Sequence, residues 1–153
     1  MHHHPRDSTP SETQTSPGRA GWLRDWEYAH RGLHGPGVPE NSLAAAQGAI
    51  AAGMGIECDI QMSADDVPMV FHDWDLKRLT GQEGDFGRMT ADQLSAYRYL
   101  EGNEKIASLG DLLALIGGRV PLLIEIKSKR GYDVERTCRL VAERLRDYSG
   151  HHA

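Results

Sequence analysis

The chain is short of most features that mark a specialised protein. It has two cysteines in 153 residues, Cys58 and Cys138, far apart in sequence. They give neither a disulfide framework nor a metal-type spacing, which fits a reducing compartment such as the cytoplasm. Aromatic residues make up only 7%, no basic stripe carries interleaved aromatics, and the net charge is −5. That balance argues against a nucleic-acid surface. No apolar run approaches the ~18 residues of a membrane span, and the N-terminus lacks the apolar core of a secretion signal. Hydrophobic content is 39%, low for a compact enzyme. Residues 1–21 explain part of this: MHHHPRDSTPSETQTSPGRAG is polar, rich in Ser, Thr and Pro, and without apolar period. Such a stretch buries too little surface to offset its ordering entropy, so a disordered tail is expected there. The remainder, residues 22–150, is one domain's worth.

What is present is an alternation of strand and helix signals. EYAH, 27–30, is a short strand candidate. NSLAAAQGAIAAG, 41–53, predicts a helix with Asn41 as N-cap and Gly53 as its stop. GIECDIQM, 55–62, alternates strictly, with Ile56, Cys58, Ile60 and Met62 on one face and Glu57, Asp59 and Gln61 on the other. SADD, 63–66, is a turn, and VPMVFHD, 67–73, a second β-rich run. TADQLSAYRYL, 90–100, predicts a helix capped by Thr90. SLGDLLALIGG, 108–118, opens with a capping-box pattern of Ser108 and Asp111. RVPLLIEIKSK, 119–129, is a strand with Leu122, Ile124 and Ile126 opposite Leu123, Glu125 and Lys127. YDVERTCRLVAERLRDY, 132–148, is an amphipathic helix with Val134, Cys138, Val141 and Leu145 inward. This order predicts an α/β fold with a parallel sheet.

The strands carry charge where apolar residues would pack better. Glu57 and Asp59 share one face, Glu125 and Lys127 share another, and His30 and His72 sit at strand ends. Each pair alone has an ordinary explanation, such as a solvated strand face, a Glu–Lys pair or a surface histidine. The set is different. Parallel α/β folds gather their sites at the carboxyl ends of the strands, so all these groups can reach one mouth. Three converging carboxylates need positive charge among them. A hard divalent cation is the natural partner, and zinc is disfavoured because no Cys or His lies among the carboxylates.

The segments AHRG, PENS, GIECDIQMSADDVPMVFHDWDLKRLTG and LLIEIK, in that order from about Tyr28 to Lys127, resemble the glycerophosphodiester phosphodiesterases. The resemblance implies a TIM (β/α)8 barrel and hydrolysis of glycerophosphodiesters to glycerol 3-phosphate and an alcohol. It implies that His30 and His72 are the general acid and base. Glu57, Asp59 and Glu125 would hold one divalent cation, Mg2+ or Ca2+, and Arg31 and Lys127 the substrate phosphate. Glu40 and Asn41 would shape the site beside the metal. The precedent is attack by the neighbouring glycerol hydroxyl, giving a cyclic phosphate that water then opens. Lysophospholipase D activity on the same scaffold is the alternative.

The chain departs from that pattern in places. Ser42 stands where Thr is common, and the turn at 63–66 is not the usual Thr-Lys-Asp-Gly type. The segment between His72 and Ser108 is short, which implies a small or open alcohol pocket. A TIM barrel needs roughly 250 residues, so the N-terminal half of a barrel is expected over 22–150. Such a half would fold poorly, pair as a homodimer, or bind metal and phosphate without turnover. The expected partner is a small glycerophosphodiester, with neither nucleic acid nor a membrane span. His2, His3, His4, His151 and His152 are expected to be inert.

Overall fold

The computed structural model describes residues 21–153. The tail expected over 1–21 lies outside them except for Gly21, which opens a 3-10 turn, Gly21–Asp25. Four strands form one sheet: β1 (Tyr28–His30), β2 (Gly55–Met62), β3 (Pro68–Val70) and β4 (Leu122–Ile126). β2 is central. β1 and β4 run parallel to it, β1 pairing from Tyr28↔Gly55 to His30↔Glu57 and β4 from Ile56↔Leu122 to Ile60↔Ile126. β3 returns antiparallel through the turn at 63–66 and pairs with the far end of β2, Ile60↔Val70 to Met62↔Pro68. Because β4 already occupies one edge of β2 at Ile60, β3 takes the same edge as β1, farther along.

The parallel strands neighbour one another in chain order, β1, β2, β4. Successive strands of a (β/α)8 barrel are neighbours in this way, and so are the first three strands of a doubly wound sheet of order 3-2-1-4-5-6. The last residues continue the series. Leu122 N–H donates to the His151 carbonyl, Ala153 N–H to Leu122 and Ile124 N–H to Ala153, with a parallel bridge from His152 to Leu122. His151 also stacks on Trp22, with ring centroids 4.9 Å apart. The two C-terminal histidines, expected to be inert, are thus structural. Pairing through the backbone needs no periodic side-chain signal, and three residues are too few to show one.

The helices begin where side chains cap them. α1 (Leu43–Ala51) is capped by Ser42, whose hydroxyl accepts from Ala45 N–H at 3.1 Å. The expected cap, Asn41, cannot serve, because an N-cap needs extended backbone and Asn41 has φ +57°. Gly53 ends the helix in the left-handed region as expected, at φ +69°. α2 (Lys77–Thr80) was not visible in the sequence. α3 (Ala91–Ser95) has its Thr90 cap in a full capping box with Gln93, but it is far shorter than the expected 90–100 helix. After it the chain doubles back, with Tyr99 N–H on Glu104 O at 2.9 Å, so that Tyr99 can be buried. α4 (Leu109–Ile116) carries the Ser108–Asp111 capping box, and α5 (Val134–Leu145) is capped by Asp133. Cys138 was expected inward and is exposed. The buried stripe of α5 passes through Thr137 and Val141 instead. Thr137 tolerates burial because its hydroxyl donates to Asp133 O at 3.1 Å.

Two apolar clusters result. One packs α1 and α4 against the sheet through Ala46, Ala49, Ile56, Cys58, Leu109 and Leu122. The other joins Met69, Phe71, Leu76, Phe86, Leu94 and Ile106 and anchors the chain on both sides of His72. Phe71 stacks on Phe86 at 4.9 Å. Each such side chain contributes about 1.5–3 kcal/mol on burial, which fixes the short segment that carries the second histidine. Among the described residues no helix is long and apolar enough to cross a membrane.

Candidate active site

Strand register assembles the acidic group. In β2, alternation sends Ile56, Cys58 and Ile60 into the core, leaving Glu57, Asp59 and Gln61 on the opposite face. The parallel pairing of β4 sets Glu125 beside Asp59, and that of β1 sets His30 beside Glu57. One ligand atom from each of Glu57, Asp59 and Glu125 lies within 4.8 Å of the others. Asp59 is fully buried, Glu57 half-buried and Glu125 exposed.

Each of the two inner carboxylates is satisfied on one oxygen only. Glu57 Oε2 accepts the Arg31 amide at 3.0 Å and lies 3.6 Å from His30 Nε2. Asp59 Oδ2 accepts Asn41 Nδ2 at 3.0 Å and lies 3.4 Å from Arg31 Nε. Glu57 Oε1 and Asp59 Oδ1 are buried with no hydrogen-bond partner. Burial pushes the Glu57 carboxyl up, and the charges of Asp59 and Glu125 add to that push against the Arg31 amide and His30. Buried unpaired carboxylate oxygens are costly. Hard oxygen donors of this kind suit Mg2+ or Ca2+, so these residues fit a divalent cation.

A tight loop brings the cationic side chains in. Arg31 and Asn41 both have φ +57°, a conformation that costs L-residues roughly 1–2 kcal/mol each. Asn41 N–H donates to Arg31 O at 2.8 Å, closing the loop. Gly32, at φ +77°, lies so close to α1 that a Cβ there would sit 2.7 Å from the Ala45 methyl, so no larger residue fits. Arg31 Nη1 donates to Glu40 Oε2 at 2.9 Å, and Arg78 Nη1 donates to Glu40 Oε1 at 2.8 Å. Burial alone would raise the Glu40 carboxyl, but the two guanidiniums outweigh it and hold the group below the usual carboxylate range. Arg78 also grips Asp73, Nε to Oδ2 at 2.9 Å and Nη2 to Oδ1 at 3.0 Å. Asp73 Oδ1 meets His72 Nδ1 at 2.7 Å.

His30, Arg31, Glu40, Asn41, Glu57, Asp59 and Glu125 are therefore brought together, and His72 joins them through Asp73 and Arg78. Lys127 follows β4 directly, half-buried, with its amide on Ile60 O at 2.9 Å. Among the described residues its ammonium forms no ion pair. Two further residues, Arg78 and Gln61, help to build the site without a sequence pattern that assigns them to it. Arg78 lies in a polar stretch with no periodicity to mark it. Gln61 lies on the acidic face of β2, and its Nε2 donates to Phe71 O at 3.1 Å and Asp73 O at 2.6 Å, fixing the backbone on both sides of His72. A cavity of about 460 Å³ opens beside Glu40 and Arg78 and is lined also by Pro36, Tyr99 and Leu100.

An α/β sheet that gathers carboxylates, histidines and arginines on one face does not by itself fix a family. The comparisons do. The sequence model of the glycerophosphoryl diester phosphodiesterase family matches residues 30–152, and the chain belongs to that family. A glycerophosphodiester phosphodiesterase of Caldanaerobacter subterraneus is 36% identical over 108 residues, covering 65% of this chain and 44% of its own length. The Bos taurus glycerophosphodiester phosphodiesterase 1 is 35% identical over 95 residues, covering 56% of this chain and 28% of its own. A phosphodiesterase from Oleispira antarctica, solved with its product sn-glycerol-3-phosphate, superposes with a TM-score of 0.73 at 29% identity, over 80% of this chain and 52% of that one. The chain thus spans about half the length of these relatives or less.

Proposed function

We propose that this chain takes part in metal-dependent hydrolysis of small glycerophosphodiesters, releasing glycerol 3-phosphate and an alcohol. The single observation that carries the reading is the pair of buried, unbonded oxygens, Glu57 Oε1 and Asp59 Oδ1, in a cluster completed by Glu125. Residues 22–150 are proposed to supply the N-terminal portion of a (β/α)8 barrel; the chain-order winding of the parallel strands supports this. A reducing, cytoplasmic setting is proposed from two free cysteines, one of them buried.

Glu57, Asp59 and Glu125 would hold Mg2+ or Ca2+. Such an ion, when bound, neutralises phosphate charge and polarises the phosphoryl group. Arg31 and Lys127 bind the phosphate. Arg31 Nη1 is committed to Glu40, which leaves Nη2 as the donor for a phosphate oxygen. His30 and His72 carry the protons: one takes the proton of the attacking glycerol hydroxyl, and the other gives one to the departing alkoxide. Imidazole titrates close enough to neutrality for both jobs. His30, two-thirds exposed, is open to substrate. Glu40 and Asn41 hold the loop that presents Arg31.

The test is incubation with glycerophosphocholine and Mg2+ or Ca2+, with and without chelator, following glycerol 3-phosphate. Release that stops with chelator and in His30→Ala supports the reading. No release from folded protein overturns it. Choline release from lysophosphatidylcholine in place of glycerophosphocholine would assign the lysophospholipase D alternative.

A further inference from the structure

Arg78, to which the proposed chemistry gives no role, stands at the middle of an unbroken polar chain. Starting from His72, the chain passes to Asp73, Arg78, Glu40 and Arg31, and Arg31 touches both Glu57 and Asp59. A guanidinium is planar, and its nitrogens point along fixed directions. Here the Nε and Nη2 edge forms a two-point contact with Asp73 while Nη1 reaches Glu40. Arg78 therefore reaches Glu40, 38 residues earlier in the chain, and joins the loop that carries Arg31 to the segment that carries His72. α2 is a single turn with no side-chain cap, so these bonds are what fix the position of the guanidinium.

The consequence falls on His72. An ionised carboxylate only accepts hydrogen bonds. With both Asp73 oxygens already accepting from Arg78, the 2.7 Å contact from Asp73 Oδ1 requires the hydrogen to sit on His72 Nδ1. Nε2 is then the nitrogen free to take a proton. We propose that Arg78 is a positioning residue: through Asp73 it fixes the ring orientation and Nδ1–H tautomer of His72, and through Glu40 it ties that histidine to the arginine beside the carboxylate cluster. His30 lacks such support. Among the described residues its one ion-pair contact is with Glu57 at 3.6 Å, and its side chain is 67% exposed. The burial and charge environment agree, since the Asp73 carboxyl, raised by its partial burial, is brought below the usual range by Arg78 and His72.

The consequence for turnover rests on the phosphodiesterase reading, but the tautomer does not, so the test separates the two. Protein labelled with 15N-histidine is examined by NMR at a pH where the rings are neutral. His72 should show Nδ1 protonated and Nε2 bare, whereas His30 should show the mixed pattern of an unsupported imidazole. Arg78→Gln should shift His72 towards the mixed pattern, Arg78→Lys should restore it in part, and Lys77→Gln should change nothing. If Arg78→Gln does not fold, Asp73→Asn is read in its place and should release the tautomer as well. An unchanged His72 spectrum in these variants overturns the proposal, as does a mixed tautomer in the parent protein. In turnover, Arg78→Gln should lower kcat by about 10²-fold with KM within about twofold. A loss confined to KM would make Arg78 a substrate-binding group and overturn the positioning role. A parent protein without turnover defeats the functional reading and leaves the NMR result standing.

Discussion

On one face of β2 and β4, three carboxylates meet with two buried oxygens unbonded, whereas a few residues away, in the fork of Arg31, Glu40, Arg78 and Asp73, every carboxylate oxygen accepts from a guanidinium. The two regions use the same residue types and are wired in opposite ways. Positive charge reaches the cluster through Arg31, 3.4 Å from Asp59 Oδ2, and the two unbonded oxygens stay open to an ion. The fork is self-contained: its charges are matched within the fold, and its work is to hold things still. The same contrast separates the two histidines, one free at the mouth and one tied down.

Substitutions should break that comparison in a set order. The largest effect is expected at the histidines. His30→Ala and His72→Ala should each lower turnover by about 10²–10⁴-fold, while calorimetric affinity for the metal stays near that of the parent. A matching loss of metal affinity would move the histidine concerned into the cluster. Next comes the fork. Glu40→Gln removes the charge between two guanidiniums and one of the two oxygens that accept from them, and hydrogen bonds to charged groups contribute about 1.5–3 kcal/mol. Urea unfolding should show a loss of about 2 kcal/mol; a change below half of that would mean the fork is ornamental.

The acid limb of stability sharpens the same point. Glu40 and Asp73 are both held below their ordinary carboxylate values. Their stabilising contribution is complete above the unfolded carboxylate range and is lost as the pH falls through the lower folded values. Unfolding free energy measured across that window should flatten in Glu40→Gln and Asp73→Asn. The smallest effect is at the thiols. Cys138 is exposed, and Cys58 is buried with its thiol pushed well up by burial and by the charges of Glu57 and Asp59. A thiol reagent should therefore label one cysteine per native chain, and Cys138→Ser should remove that reaction without altering stability.

Much of the cluster was legible in the sequence because strand alternation fixes faces by counting. The order Glu57, Cys58, Asp59 can only place the cysteine opposite the carboxylates. The Ser108 and Thr90 caps were legible because a capping box is a local bond between residues three apart. What was not legible depends on tertiary partners. The cap of α1 moved from Asn41 to Ser42 because Asn41 is spent on Asp59 in a left-handed conformation. The helix after Thr90 stops early because burying Tyr99 takes precedence over helix propensity. Cys138 yields its inward place to Thr137, which finds hydrogen-bond partners that the helical pattern does not reveal. Arg78 acquires its role only from groups at positions 40 and 73; it lies within the WDLKRLTG stretch that carries the family resemblance, but no local pattern assigns it those partners.

The central claim is that the strand-borne cluster is completed by a divalent cation, and calorimetric titration of Mg2+ and Ca2+ into the purified chain tests it most directly. The parent protein should bind one ion. Glu57→Gln should lower the affinity by at least the roughly 10–100-fold typical of losing even an outer-shell partner, and Lys77→Gln should leave it unchanged. Equal affinity in the parent and in Glu57→Gln would contradict the account, as would a parent that binds no ion at all.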